Sequence, residues 1–144
     1  MKIKLLSILF FLFCYTANAQ SIIGTWESVN EETKKVESTI EIYEKSGMFF
    51  GKIIEIKDPK KKDALCNLCE GNLKDKPILG MVIVRDLKKD QDEWSGGRVL
   101  DPKNGKEYKC TISLKDENTM KLRGYIGFSV FGRTAYWYRV NDKK

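Results

Sequence analysis

The chain has 144 residues, of which 26 are lysine or arginine and 20 are aspartate or glutamate, giving a formal net charge of +6. The absence of histidine excludes Ser-His and Cys-His catalytic pairs and histidine-rich zinc sites. The cations are interleaved with acids along the chain, which predicts a solvated surface, no nucleic-acid partner and, at most, weak contact with anionic envelope lipid. No catalytic constellation stands out, so we expect a protein that is not an enzyme and holds no cofactor or metal.

The N-terminus has the three parts of a secretion signal. Lys2 and Lys4 precede an apolar run over residues 5–15, and Ala17-Asn18-Ala19 supplies the small residues of a cleavage site. The apolar run is shorter than the ~20 residues that a membrane-spanning helix needs. We therefore predict a cleaved signal peptide over 1–19, followed by a single domain over 20–144 that is exported to the periplasm or secreted.

The rest of the chain reads as short strands separated by turns. Apolar and polar residues alternate clearly over 36–43 and 108–114, which is the period of a half-buried strand. The connections are mostly of hairpin length, and that length favours antiparallel pairing of neighbouring strands. Eight such strands predict an all-β, antiparallel up-and-down barrel, with a two-sheet sandwich as the alternative. In chain order the predicted strands are 22–29, 36–43, 48–57, 79–87, 94–100, 107–114, 119–126 and 133–140.

One connection, residues 58–76, is unusually long and contains Cys66 and Cys69. We predict that it holds one helical turn around residues 63–68. In an exported protein these two cysteines are expected to form a structural disulfide, although a bridge from one of them to Cys110 is also open. A redox-active pair is a further alternative, but the helix and parallel strands that surround such a pair in thioredoxin-like proteins are missing from the pattern.

The segment Gly24-Thr25-Trp26 on the first predicted strand resembles the Gly-x-Trp signature of lipocalins and fatty-acid-binding proteins, the calycin group. In that group the tryptophan closes one end of the barrel and an arginine from the last strand packs across it. The resemblance implies that Trp26 takes the first role and Arg139 the second, with Arg133 as the reserve candidate.

A second resemblance extends over nearly the whole of the chain after residue 19. The chain is similar to an exported bacterial family known as domain of unknown function 2147, which implies a lipocalin-like barrel that binds a small apolar molecule. The stretches that carry the resemblance are Cys66-x-x-Cys69-x-Gly71, residues 77–81, residues 94–102, Asn104-Gly105-Lys106-x-Tyr108, Leu122-x-Gly124-Tyr125-Ile126-Gly127, Phe131-Gly132-Arg133 and Trp137.

Aromatic residues are numerous, and a cavity lined by some of them is the basis of the functional prediction. The alternative is a barrel filled by its own side chains. The glycine-rich segment 124–132 is either an exposed apolar rim or a bulged strand. The residues expected to line the interior or the mouth of the barrel, and so to contact the ligand, are Trp26, Ile42, Phe50, Tyr108, Tyr125, Phe128 and Tyr136.

We therefore predict an exported, non-catalytic, lipocalin-like protein that binds a small apolar or amphipathic molecule. Two alternatives remain at this point. The first is a thiol–disulfide redox protein that uses Cys66 and Cys69. The second is an envelope interaction protein with a filled barrel, which uses the glycine-rich segment as its contact surface.

Overall fold

The structure is a computed structural model that describes residues 20–141. Each strand pairs antiparallel with its neighbours along the chain, and the last strand returns to the first, so the sheet closes into a barrel. This closure confirms the predicted fold class, whereas the predicted signal peptide, residues 1–19, lies outside the described residues. The strands are β1 (Gly24–Val29), β2 (Val36–Lys45), β3 (Met48–Ile56), β4 (Val82–Asp90), β5 (Glu93–Asp101), β6 (Lys106–Asp116), β7 (Thr119–Tyr125) and β8 (Arg133–Arg139).

Alternation along the strands separates a lumen face from an outer face. Directly opposed residues on paired strands share a face, so Ile42 and Gly51 lie together in the lumen, and the next pair, Tyr43 and Phe50, points outward. A Cβ atom on Gly51 would lie 3.0 Å from side-chain atoms of Ile42 and Val84, which shows how closely this wall is packed. The buried lumen residues include Trp26, Ile40, Ile42, Ile53, Val84, Leu87, Trp94, Cys110, Ile112, Met120, Leu122 and Trp137.

The barrel closes where β1 meets β8. Trp26 is directly opposite Arg139 in this pair, and Ser28 is opposite Trp137. Arg133, the reserve candidate for the arginine that covers the tryptophan, is the first residue of β8 and lies at the far end of that strand. The pairing of the first and last strands therefore places Trp26 and Arg139 side by side.

The two ends of the barrel differ in their connections. At one end, which we call the turn end, residues 46–47, 91–92 and 117–118 form two-residue turns. At the other end, the loop end, the connections are residues 30–35, 57–81, 102–105 and 126–132. No helix within residues 20–141 is long and apolar enough to cross a membrane.

The long connection between β3 and β4 folds back on itself. It contains two short 3-10 turns, Pro59–Lys61 and Gly71–Leu73, which confirms a helical turn in this connection but places the turns on either side of residues 63–68. Leu65, between the two turns, forms an isolated antiparallel bridge with Pro77. Local composition does not reveal such a bridge, since its two partners are twelve residues apart in the sequence.

Candidate functional site

The turn end of the barrel is covered by Arg139. Its Cζ atom lies 4.2 Å from the centroid of the Trp26 ring, within the range of a cation–π interaction. The guanidinium also donates hydrogen bonds to three backbone carbonyl oxygens, those of Ser21 at 2.8 Å, Ile23 at 3.0 Å and Glu117 at 2.8 Å. These contacts tie both chain ends and the β6–β7 turn to one side chain. Entry of a ligand through this end would require all of them to break.

The lumen is filled by its own side chains. Trp26 and Ile42 are 0% and 1% exposed, and Trp94 and Trp137 are 2% and 5% exposed. A side chain beside a water-sized void would keep accessible surface, so the barrel interior has little free volume around these residues. The Trp94 indole Nε1 is buried without a hydrogen-bond partner, and Lys89 Nζ lies 4.1 Å from its ring centroid.

A cavity of about 640 Å³ lies instead on the outer face of the barrel. We call it the outer groove. One wall is the outer face of β2 and β3, where the rings of Tyr43 and Phe50 stack with their centroids 5.7 Å apart. The other wall is the second half of the long connection, residues 72–81, which we call the returning arm. The apolar residues of the outer groove are Tyr43, Phe50, Leu73, Pro77, Leu79, Met81 and Val82.

Backbone hydrogen bonds fix the returning arm beside β3. Gly80 N donates to the carbonyl of Ile53 at 2.8 Å, and Ile53 N donates to the carbonyl of Met81 at 3.0 Å. Farther out, Ile78 N donates to the carbonyl of Ala64 at 3.0 Å. The outer groove is thus bounded by hydrogen-bonded backbone on both sides, and its shape is largely formed before any ligand arrives.

The outer groove is lined by three cations and no carboxylate. These cations are Lys45, Lys76 and Arg85. Arg85 Nη2 forms an ion pair with Glu107, whereas Lys45 and Lys76 form none with any other residue between 20 and 141. An apolar cleft of 300–1,000 Å³ with a few placed polar groups is the usual form of a small-molecule site. Here the polar groups favour a negatively charged ligand.

The predicted ligand-contacting residues are divided between the two faces of the wall. Trp26, Ile42 and Tyr108 belong to the lumen, and Tyr108 lies near the loop end, where its hydroxyl accepts a hydrogen bond from Asn104 Nδ2 at 3.0 Å. Trp26 and Ile42 are fully packed and present no free surface to a ligand.

The other four predicted residues lie outside the lumen. Phe50 lines the outer groove, while Tyr125 and Tyr136 point outward from β7 and β8. Lys115 Nζ lies 5.9 Å from the centroid of the Tyr136 ring. Phe128 is 76% exposed in the β7–β8 connection at the loop end. Only Phe50 of this set belongs to the outer groove.

Cys66 and Cys69 form a disulfide, with their Cα atoms 5.3 Å apart. Both residues are buried, at 0% and 1% exposure, because the disulfide packs beneath the β5–β6 turn. A Cβ atom on Gly105 of this turn would lie 1.9 Å from the carbonyl oxygen of Leu68. Burial keeps the sulfur atoms from an attacking thiolate, which argues against the redox alternative.

Cys110 is a free, buried thiol in the lumen. Burial raises its pKa from 9.0 to about 12, so the thiol stays protonated and unreactive at neutral pH. The alternative bridge from the long connection to Cys110 is not formed. Within residues 20–141, no three histidine, cysteine, aspartate or glutamate side chains are grouped closely enough to hold a metal ion.

The closed eight-stranded barrel and the arginine-covered tryptophan at its turn end define a lipocalin-like protein. Residues 24–139 match the family described as "Uncharacterized protein conserved in bacteria (DUF2147)", and the chain belongs to that family. The family and the barrel class that the sequence predicted are therefore confirmed. A comparison with curated proteins gave no match.

A search of solved structures shows the same fold in protein HP1028 from Helicobacter pylori, which is described as belonging to the lipocalin family. The TM-score is 0.75, the sequence identity is 22%, and the match covers 85% of each chain. At this identity the similarity establishes the fold.

Most residues of the outer groove were absent from the sequence-based prediction. Leu79 and Met81 fall in a stretch that carried the family resemblance, and residues 81–84 are apolar on both faces. Because the outer face of a barrel strand is normally polar, an apolar outer face indicates that another segment of the chain packs against it. The contribution of Tyr43 and Lys45 from a distant strand has no local sequence signal.

Proposed function

We propose that this protein is an exported, non-enzymatic binding protein for a small amphipathic molecule with a negatively charged group. The ligand lies in the outer groove, with its apolar part against Tyr43 and Phe50 and its anionic group near Lys45 and Lys76. The observation that carries this proposal is the cavity of about 640 Å³, which combines an apolar floor with unpaired lysines.

Export is supported by the signal-like pattern in residues 1–19 and by the Cys66–Cys69 disulfide, because disulfides persist in oxidising compartments. A non-catalytic role is supported by the outer groove itself. Its lining contains lysine and arginine but no carboxylate, histidine or cysteine, so it offers no acid–base pair and no activated nucleophile.

Isothermal titration calorimetry with dodecanoate tests the proposal, because this probe has both an alkyl chain and a carboxylate. The chain that begins at Gln20 is suitable, since residues 20–141 form the complete barrel. We expect saturable binding of dodecanoate and weaker binding of dodecyltrimethylammonium, whose head group is positive.

Two pairs of variants locate the site. Lys76→Glu places a negative charge at the outer groove, and we expect the affinity for dodecanoate to fall about tenfold. Its matched control is Lys121→Glu, which lies on β7 across the barrel and should leave the affinity unchanged. Phe50→Ser should weaken binding by removing apolar contact, whereas Tyr136→Ser should not. Equal effects of the members of each pair, or no binding of dodecanoate by the parent protein, would refute the outer groove as the site.

A further inference from the structure

The β7–β8 connection exposes a continuous group of apolar side chains at the loop end. Ile126 is 68% exposed, Phe128 76%, Val130 78% and Phe131 81%. We call these four residues the apolar tip. Large apolar side chains that are mostly exposed and adjacent mark a contact surface more often than an accident of the fold. Neither the lumen nor the outer groove uses them.

The backbone that carries the apolar tip is held in place by polar contacts. The guanidinium of Arg123 donates from Nε to the carbonyl of Ser129 at 2.6 Å and from Nη2 to that of Val130 at 3.2 Å. Gly132 packs so tightly that a Cβ atom there would lie 2.7 Å from the carbonyl oxygen of Gly124. The segment is thus anchored at its base while its apolar side chains point into solvent, an arrangement that leaves them available to a partner.

Cations lie on the strands next to the connection that carries the apolar tip. Lys109 on β6 is opposite Arg98 on β5 and Tyr125 on β7, and Arg133 begins β8 immediately after the connection. Arg98, Lys109 and Arg133 form no ion pair with any other described residue. Like charges in directly opposed positions of a sheet are destabilising, so a negatively charged partner would relieve the repulsion between Arg98 and Lys109.

The connections at the two ends of the barrel also differ in charge. The four connections at the loop end contain nine lysines and six acids, whereas the three turns at the turn end contain two acids and no lysine or arginine. A surface that combines an apolar projection with surrounding positive charge is complementary to a bilayer that contains anionic lipid. The three turns at the turn end have neither an apolar side chain nor a cation.

We propose that the apolar tip inserts into the interface of an anionic phospholipid bilayer and docks the loop end of the barrel on it. The size of the patch favours lipid over a protein partner. Four side chains at these exposures present on the order of 500 Å², which is below the ~800 Å² per partner of a standard protein interface. Burial of the apolar tip and attraction of the neighbouring lysine and arginine side chains to anionic lipid would act together in this attachment.

Co-sedimentation with lipid vesicles tests the inference, using the chain that begins at Gln20 so that residues 1–19 contribute nothing. We expect binding to phosphatidylglycerol vesicles, with the partition coefficient falling at least about tenfold on phosphatidylcholine vesicles or at high salt. The double variant Phe128→Ser/Phe131→Ser should lower binding to phosphatidylglycerol by at least about tenfold. The matched control is Tyr136→Ser/Tyr138→Ser, which removes two exposed rings from the outer wall and should bind as the parent does.

A fluorescent label that reports polarity, attached at Phe128→Cys, separates insertion from purely electrostatic attachment. Its emission should shift to the blue on phosphatidylglycerol vesicles. No binding to these vesicles, an equal loss in both double variants, or binding without a spectral shift would overturn the proposal. Self-association that Phe128→Ser/Phe131→Ser abolishes, without vesicle binding by the parent, would show that a second copy covers the apolar tip instead.

Discussion

The contacts of Arg139 at the turn end lead to a quantitative prediction for Arg139→Met. The variant keeps an apolar stem over the Trp26 ring but loses the cation–π interaction at 4.2 Å and three hydrogen bonds to backbone carbonyls. A cation–π interaction contributes about 0.5–2 kcal/mol, and each hydrogen bond contributes about 0.5–1.5 kcal/mol. Because these contributions share one side chain they do not simply add, and we expect a loss of about 3 kcal/mol in the free energy of unfolding.

Urea denaturation followed by tryptophan fluorescence measures this loss. For a domain of this size it corresponds to a fall in Tm of roughly 10 °C. The control is Arg98→Met, because Arg98 is exposed on β5 and forms no ion pair among residues 20–141, so its loss should change stability by less than about 0.5 kcal/mol. A loss below 1 kcal/mol for Arg139→Met would show that this side chain does not close the barrel.

Three further predictions concern the loop end and the lumen. Gly105→Ala should lower the free energy of unfolding, measured by urea denaturation, by at least about 2 kcal/mol more than Gly47→Ala does. Both glycines have positive φ, but only at Gly105 would the added Cβ meet the backbone of the disulfide loop. Equal losses would contradict this packing. Iodoacetamide at pH 8 should leave Cys110 unmodified in the folded protein, because burial raises the pKa of its thiol to about 12. After unfolding, the same reagent should alkylate Cys110, and mass spectrometry measures both outcomes. Rapid modification of the folded protein would contradict the burial of Cys110. Burial alone would raise the pKa of Glu37, but hydrogen bonds, chiefly from Lys103, hold it below the ordinary value of 4.5. The stability that Glu37 contributes is therefore present above pH 4.5 and is lost as the pH falls through the lowered pKa. Lys103→Met should flatten this part of the stability–pH curve, and an unchanged curve would exclude the Glu37–Lys103 pair as its cause.

The barrel could be predicted from the sequence because each strand carries its own evidence. Residues 36–43 alternate in polarity, and the turn at 101–105 contains proline and Asn-Gly, which favour a tight reversal. Because these signals are local, each strand or turn can be predicted from them without knowledge of the rest of the fold. The Trp26–Arg139 contact is long-range and was predicted only through the family resemblance.

The location of the cavity could not be predicted in the same way. The sequence predicts Phe50 at the interior or the mouth of the barrel, yet Phe50 points outward from β3. Its inner neighbours on the strand, Phe49 and Gly51, already occupy the lumen positions. Phe50 is half-buried on the outer face because Tyr43 stacks on it and the arm around Leu79 lies opposite. That arm reaches β3 through backbone hydrogen bonds, which leave no trace in side-chain periodicity.

In this lipocalin-like barrel the lumen is filled, and the candidate site lies on the outer face of the wall. The strands supply a rigid wall, and the long connection supplies the second wall of the site. The disulfide and the close contact at Gly105 hold the base of that connection against the β5–β6 turn. Variation in the connection would then alter ligand preference without disturbing the barrel.

Intermolecular nuclear Overhauser effects between dodecanoate and the isotope-labelled protein test the central claim most directly, because they identify the protons that lie next to the ligand. The outer groove predicts contacts from the alkyl chain to Tyr43, Phe50 and Leu79. Contacts to the indole protons of Trp26 or Trp94 would place the ligand in the lumen and contradict the account.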